Sequence, residues 1–262
     1  MTAAARVFFF GGLTSYRALF NWLRPAYYFP TMLAGPMFQL LFFAYLGRFA
    51  GAESDAFYVV GNAVQISAMA GVFGMAITIG GERWTQTLGP LLATPASRIA
   101  IFLGRALPNL AQGLIVSAFG FVMGRLLLDF DPPLSSVPSL AAIVVVTTTS
   151  CTAFGLVVGA LGLRLRDSFM VANPAYFLML LLCGVNVDVN VLPGWLEAVS
   201  RSLPLTHGIE AAREVAGGAT LSSVRGLVAT EAGIAVVYAT AAYFLLRFFE
   251  EESRRRATLD RM

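Results

Sequence analysis

The sequence predicts an all-α membrane protein with six transmembrane helices. Three observations carry this reading. Hydrophobic residues make up 57% of the 262-residue chain and charged residues only 13%, about half the charged share usual in a soluble domain. The mean hydropathy is +0.73. The apolar residues also come in runs, with no charge in 56–81, 106–124, 132–163 or 168–187. A helix crosses a bilayer with about 20 mainly apolar residues.

Taken in order, 1–27 holds an amphipathic helix: Leu13, Tyr16, Phe20 and Leu23 recur at helical spacing, and Thr14, Arg17, Asn21 and Arg24 form the opposite stripe. Such a helix is suited to lying in the membrane interface. A signal peptide is the competing reading, but the apolar stretch is broken by Gly11 and Gly12 and lacks an A-x-A site. The spans follow at about 28–46, 57–79, 106–127, 139–162, 168–187 and 226–248, within one domain. Spans 1–5 fill 28–187, a mixed segment covers 188–224, and a charged tail occupies 249–262.

Arginine counting orients the chain. With the N-terminus inside, the inner segments hold Arg6, Arg17, Arg24, Arg83, Arg98, Arg105, Arg164, Arg166, Arg247, Arg254, Arg255, Arg256 and Arg261, thirteen in all, against five outside: Arg48, Arg125, Arg201, Arg213 and Arg225. Both termini are therefore expected in the cytoplasm. The pairs Gly120/Gly124 and Gly155/Gly159 predict close helix packing in spans three and four, with the partner helix left open.

The composition also excludes functions. All 18 basic residues are arginine, so a Walker A loop, whose lysine reaches the phosphates, is absent. The arginine-only set also fits a GC-rich bacterial source, and a net charge of +3 gives no support for nucleic-acid binding. A single histidine, His207, rules out a multi-histidine metal site within the chain, and Cys151 and Cys183 lie inside apolar runs, as packing residues do. An intramembrane enzyme would need a cluster of acids, histidines or lysines at one depth. Glu231 is the only clear ionisable residue within a span, and its place near Arg225 suggests a snorkelling or paired interfacial glutamate.

Two segments between spans carry motifs. Residues 82–98 read E-R-W-T-Q-T-L-G-P-L-L-A-T-P-A-S-R, with Leu88, Leu91 and Leu92 at helical spacing. From the residues alone this is either an interfacial connector or a helix that meets a partner. Residues 193–214 read P-G-W-L-E-A-V-S-R-S-L-P-L-T-H-G-I-E-A-A-R-E. Pro193 and Pro204 would each open a short helix.

Both segments resemble those of type-2 ABC exporter permeases. The first is similar to the family pattern E-R-E-x-G-T-L-E-x-L-L-x-T-P-x-S-R at Glu82, Arg83, Thr87, Leu88, Leu91, Leu92, Thr94, Pro95, Ser97 and Arg98. It departs at Trp84, Gln86 and Gly89-Pro90, where the proline would kink a helix. The resemblance implies a cytoplasmic coupling helix, docked on an ATP-binding subunit, between spans two and three. The second is similar to the family's P-x-W-L and P-L-T-Y-x-I-E-A-L-R stretch, with Trp195, Pro204, Glu210 and Arg213 at matching positions and His207 where the family often has tyrosine. It implies a pair of re-entrant helices in the outer leaflet before the last span.

The function implied is that of the transmembrane permease subunit of an ATP-driven exporter in a bacterial plasma membrane. Its expected partners are two ATP-binding cassette subunits and a second permease chain, identical or homologous. ATP and magnesium would be held on the partner ATPase, with no cofactor on this chain. The substrate class implied is an amphipathic drug or antibiotic, a lipid or a lipid-linked glycan. Asn62, Gln65, Asn109, Gln112, Thr148 and Asn173 are the candidates to line a pathway, or else to hydrogen-bond between helices. The alternative is an ion-coupled carrier acting without an ATPase.

Overall fold

The computed structural model describes residues 33–51, 53–84, 98–164 and 169–256, with 80–84, 98–103, 163–164 and 250–256 described by their backbone alone. The described residues form eight α-helices: α1 Gly35–Ala50, α2 Asp55–Trp84, α3 Arg98–Leu128, α4 Val137–Arg164, α5 Phe169–Leu182, α6 Gly194–Ser202, α7 Thr206–Ala216 and α8 Arg225–Arg256. They contain no β-strand.

Four stretches are long and apolar enough to cross a membrane: Asp55–Ile79, Gly104–Leu128, Leu134–Gly162 and Arg225–Phe249. They fall on the second, third, fourth and sixth predicted spans. Residues 28–32 of the first span and the interfacial helix around 13–24 lie outside the described residues. The fifth span is expected to reach residue 187, but α5 has 14 residues and stops at Leu182. The Cys183 N–H makes one more helical bond, to the Met179 carbonyl, and Gly184 then turns the chain at φ +75°, a conformation glycine adopts without a Cβ clash. Residues 185–193 run irregularly apart from a short 3₁₀ turn at Val189–Val191.

Helix α2 is the axis of the bundle. In its most apolar window 78% of residues are buried, against 6% in α8, which lies at the periphery. Both small-residue pairs face α2. A Cβ on Gly120 would approach Ala63, and one on Gly124 would approach Val59. Gly155 packs on Gly71, and Gly159 on Met75 and Ile79. In lipid there is little hydrophobic drive between helices, so close backbone contact supplies the attraction. The glycines thus settle that α3 and α4 both close on α2.

The start of α2, the end of α3 and the C-terminal turn of α7 share one end of the bundle. Arg48 there makes a bidentate contact with Asp55, with Nε 2.8 Å from Oδ1 and 2.9 Å from Oδ2. Arg125 pairs with Asp131 at 2.9 Å. An open cleft of about 370 Å³ lies between Asp55, Asp129 and Asp131. The connection from Trp84 to Arg98 leaves from the other end, since a helix of 30 residues is about 45 Å long.

Candidate functional site

The first candidate region is a seam of uncharged polar groups inside the bundle. Gln39 of α1 points its Nε2 at α2, donating to Asn62 Oδ1 and to Gln65 Oε1, both at 3.1 Å. Asn62 donates to the Tyr58 carbonyl at 3.0 Å and to Asn186 Oδ1 at 2.9 Å. The Tyr176 hydroxyl of α5 donates to Gln65 Oε1 at 3.4 Å. Asn62 and Gln65 are fully buried, and Gln65 Nε2 has no partner among the described residues. One amide from each of two successive turns of α2 therefore ties α1, α5 and the segment after α5 together. The unmet N–H₂ is costly in an apolar interior.

Asn62 and Gln65, two of the six candidate pathway residues, are thus brought together. Asn109 is buried between α3 and α2, where its Nδ2 lies 3.1 Å from Met75 Sδ. Its carboxamide fills the space left by Gly74, where a Cβ would stand 2.5 Å from Oδ1. Thr148 donates its hydroxyl to the Val144 carbonyl at 2.6 Å. Thr147, Thr149 and Thr152 do the same to the residue four back, which lets a run of hydroxyls sit in an apolar span. Gln112 is half-buried and Asn173 is exposed. Gln39, Tyr176 and Asn186 were missed by the sequence reading, although a lone glutamine in the apolar run of the first span was a signal.

The second region is the α6–α7 hairpin, where the two prolines stand as expected. Pro193 precedes α6, and Pro204 lies two residues before α7. Trp195 is 70% exposed on the apolar face of α6, where a ring suits a membrane interface. Glu197 accepts from Arg201 Nε at 2.8 Å, and Glu210 lies 3.9 Å from Arg201 Nη1. Hydrogen bonding to Glu197 pushes the Arg201 guanidinium up from its usual range. His207 is buried, its Nε2 3.1 Å from the Arg201 carbonyl.

Arg213 turns inward and meets backbone carbonyls rather than an acid. Its Nη2 donates to the carbonyls of Phe57 at 3.1 Å and Val185 at 3.0 Å. Its guanidinium carbon stands 3.4 Å from the centre of the Phe57 ring, a cation–π contact. Burial pushes the guanidinium down to about 10, which leaves it charged at neutral pH. Gly61 makes the approach possible, because a Cβ there would lie 2.3 Å from the Val185 oxygen and 2.8 Å from Arg213 Nη2.

Glu231 departs from expectation. It is 1% exposed rather than snorkelling. Its Oε1 accepts the Leu205 N–H at 2.8 Å and its Oε2 the Gly208 N–H at 3.3 Å, so it caps the N-terminus of α7. A carboxylate is favoured at the positive end of a helix dipole. Nothing in the sequence spacing linked residue 231 to residue 205.

Of the coupling residues, Glu82 and Arg83 lie in the last turn of α2 and Arg98 opens α3, each described by backbone alone. Thr87, Leu88, Leu91, Leu92, Thr94 and Pro95 lie outside the described residues.

No curated protein matches the chain. Residues 12–216 match the family described as ABC-2 type transporter. That match takes in α1 to α7, with both the α2–α3 connection and the α6–α7 hairpin. The chain, whose described residues are helical and include four helices fit to cross a membrane, belongs to the ABC-2 type transporter family.

Proposed function

We propose that the chain is the permease subunit of an ATP-driven ABC exporter. With a second permease chain, identical or homologous, it forms a translocation path, and two separate ATP-binding subunits drive it. The carrying observation is the combination of ABC-2 family membership with a sequence that holds no lysine. A Walker A loop cannot be built without one, which supports ATP being bound on a separate subunit.

Residues 82–98 are the proposed docking segment. Their leucines would be buried in a groove of the ATPase, with Glu82, Arg83 and Arg98 at its rim. In support, the segment joins α2 to α3 at the end of the bundle away from the α6–α7 hairpin. The arginine asymmetry of thirteen to five supports that end, and both termini, being cytoplasmic in a bacterial plasma membrane. In this arrangement α1 and α5 complete a set of six spans, and α6 and α7 re-enter the outer leaflet with Trp195 at the interface.

The substrate is proposed to be amphipathic: a drug or antibiotic, a lipid or a lipid-linked glycan. The buried polar seam of amides and a tyrosine supports this, since it offers hydrogen bonds without a fixed charge. An ion-coupled carrier needs intramembrane acids or histidines as relays. Glu231 is committed to two backbone amides instead. Exposed apolar stripes, Phe38, Phe42 and Phe49 on α1 and Phe177 and Leu181 on α5, supply area on which a second permease chain can pack.

Co-expression with candidate ATP-binding subunits tests the assignment. A stable complex that hydrolyses ATP is expected, and Leu88→Asp with Leu91→Asp should abolish docking with membrane insertion intact. Transport in liposomes by the chain alone would refute the reading.

A further inference from the structure

The turn between α6 and α7 carries more backbone strain and more exposed backbone polarity than its surroundings can absorb by themselves. Leu205 adopts φ +91°, ψ −37°, a region that is costly for a residue with a Cβ. Such a conformation persists when neighbouring groups hold it. Here the Leu205 side chain is fully buried, and its N–H points the same way as that of Gly208, into the Glu231 carboxylate.

The turn sits deep in the bundle. Gly208 packs so closely on α4 that a Cβ would lie 2.1 Å from Thr147 Oγ1. Thr147 is the eleventh residue of α4, about 15 Å along its axis. Non-helical backbone at membrane depth needs partners from the protein, because lipid offers none.

Helix α8 provides them with both polarities. Glu231 accepts the two N–H groups, and Tyr238 donates its hydroxyl to the Ser202 carbonyl at 3.2 Å. The two residues are seven positions apart, so they lie on one face of the helix. Tyr238 is itself set by an edge-on contact with Phe154 of α4, ring centres 5.0 Å apart. Two hydroxyls close further carbonyls at the turn. Thr206 Oγ1 donates to the Ser200 carbonyl at 2.6 Å, and Ser200 Oγ to the Leu182 carbonyl at 2.8 Å. The far end of α7 is fixed to α2 by Arg213.

We propose that Glu231 and Tyr238 clamp the α6–α7 turn to the last span, so that hairpin and α8 move as one body through the transport cycle. Glu231 is then a positioning residue, and a proton relay is not its role. The clause about the cycle rests on the permease reading above. The clamp itself does not.

Hydrogen–deuterium exchange with single-amide resolution tests it, on the full chain in phospholipid nanodiscs. Glu231→Gln is nearly isosteric but has one acceptor oxygen in place of two. It should speed exchange at Leu205 or Gly208 about tenfold or more, and Glu231→Ala should do so at both. In complex with ATP-binding subunits, the wild-type amides should stay equally protected at rest and after trapping with ATP and vanadate. In Glu231→Gln with Tyr238→Phe, trapping should deprotect them further, a response that a merely structural role would not give. Unchanged protection in Glu231→Ala overturns the clamp. Deprotection of the wild-type turn on trapping overturns the single-body movement. If no ATP-binding subunit assembles with the wild-type chain, the permease reading and the cycle clause fall together, while exchange at rest still decides the clamp.

Discussion

Replacing Gly155 by alanine adds one methyl group at the tightest point of the seam between α2 and α4. The new Cβ would stand 2.3 Å from the Gly71 oxygen, 2.9 Å from its carbonyl carbon and 3.0 Å from Val72 Cα. All three are backbone atoms, so no side-chain rotation relieves the contact. An ordinary carbon–oxygen approach is about 3.3 Å or more, so the helices must separate by roughly 1 Å. Overpacking of this kind costs about 1–3 kcal/mol. Alanine gains up to about 1 kcal/mol in helix propensity over glycine. Because the obstructing atoms cannot yield individually, the upper part of the range applies, and the net loss should be about 1–2 kcal/mol. The assay is reversible unfolding of the purified protein in mixed detergent micelles, followed by circular dichroism. Gly233→Ala in α8 is the control, since a Cβ there meets nothing within 4 Å, and it should be neutral or slightly stabilising. Equal stability of Gly155→Ala and Gly233→Ala would refute the argument that backbone contact at this seam joins the helices.

Gly208→Ala should loosen α7 from α4, and Thr147→Ala in the same chain should restore part of the loss, because it removes the hydroxyl 2.1 Å from the new Cβ. A double-mutant cycle by the same unfolding assay reads the coupling, which should be at least ~0.5 kcal/mol. Arg213→Ala strips the donor from two backbone carbonyls and should lower stability by about 2 kcal/mol or more. Arg213→Lys should rescue this only in part, since a compact ammonium lacks the flat guanidinium face that stacks on the Phe57 ring. Asn62→Ala should take one of two acceptors from Gln39 and the donor from Asn186 and destabilise by about 1–3 kcal/mol. An aliphatic replacement that left stability unchanged would show that the seam does not hold α1 to α2.

Much of the architecture was legible because a bilayer imposes strong rules on sequence. Uncharged runs of about 20 residues must be helical to satisfy their own backbone. The runs 56–81, 106–124 and 132–163 accordingly coincide with α2, α3 and α4. Pro193 and Pro204 marked the two short helices because proline is accepted at or just before a helix's first turn. The run 168–187 misled on length. Composition sees only apolar residues there, whereas Gly184 and the polar partners awaiting Asn186 end the helix at Leu182. Asn109 was read as a pathway candidate for its chemistry, yet it fills the notch left by Gly74 on a neighbouring helix. A polar residue's type does not say which helix face it shares.

The sequence by itself determined that this chain lives in a membrane, that long uncharged runs form its apolar helices, and that it holds no lysine for a Walker A loop. Each of these depends on which residues are present or absent, and needs no knowledge of what touches what. Only the tertiary structure decided that the glycine pairs of α3 and α4 both close on α2, that Asn62 and Gln65 meet Gln39 and Tyr176, and that Arg213 and Glu231 are buried against backbone. Those are contacts between residues 23 to 156 positions apart. Their energy comes from satisfying polar groups where no water is available, and the local pattern of the chain carries no record of that pairing.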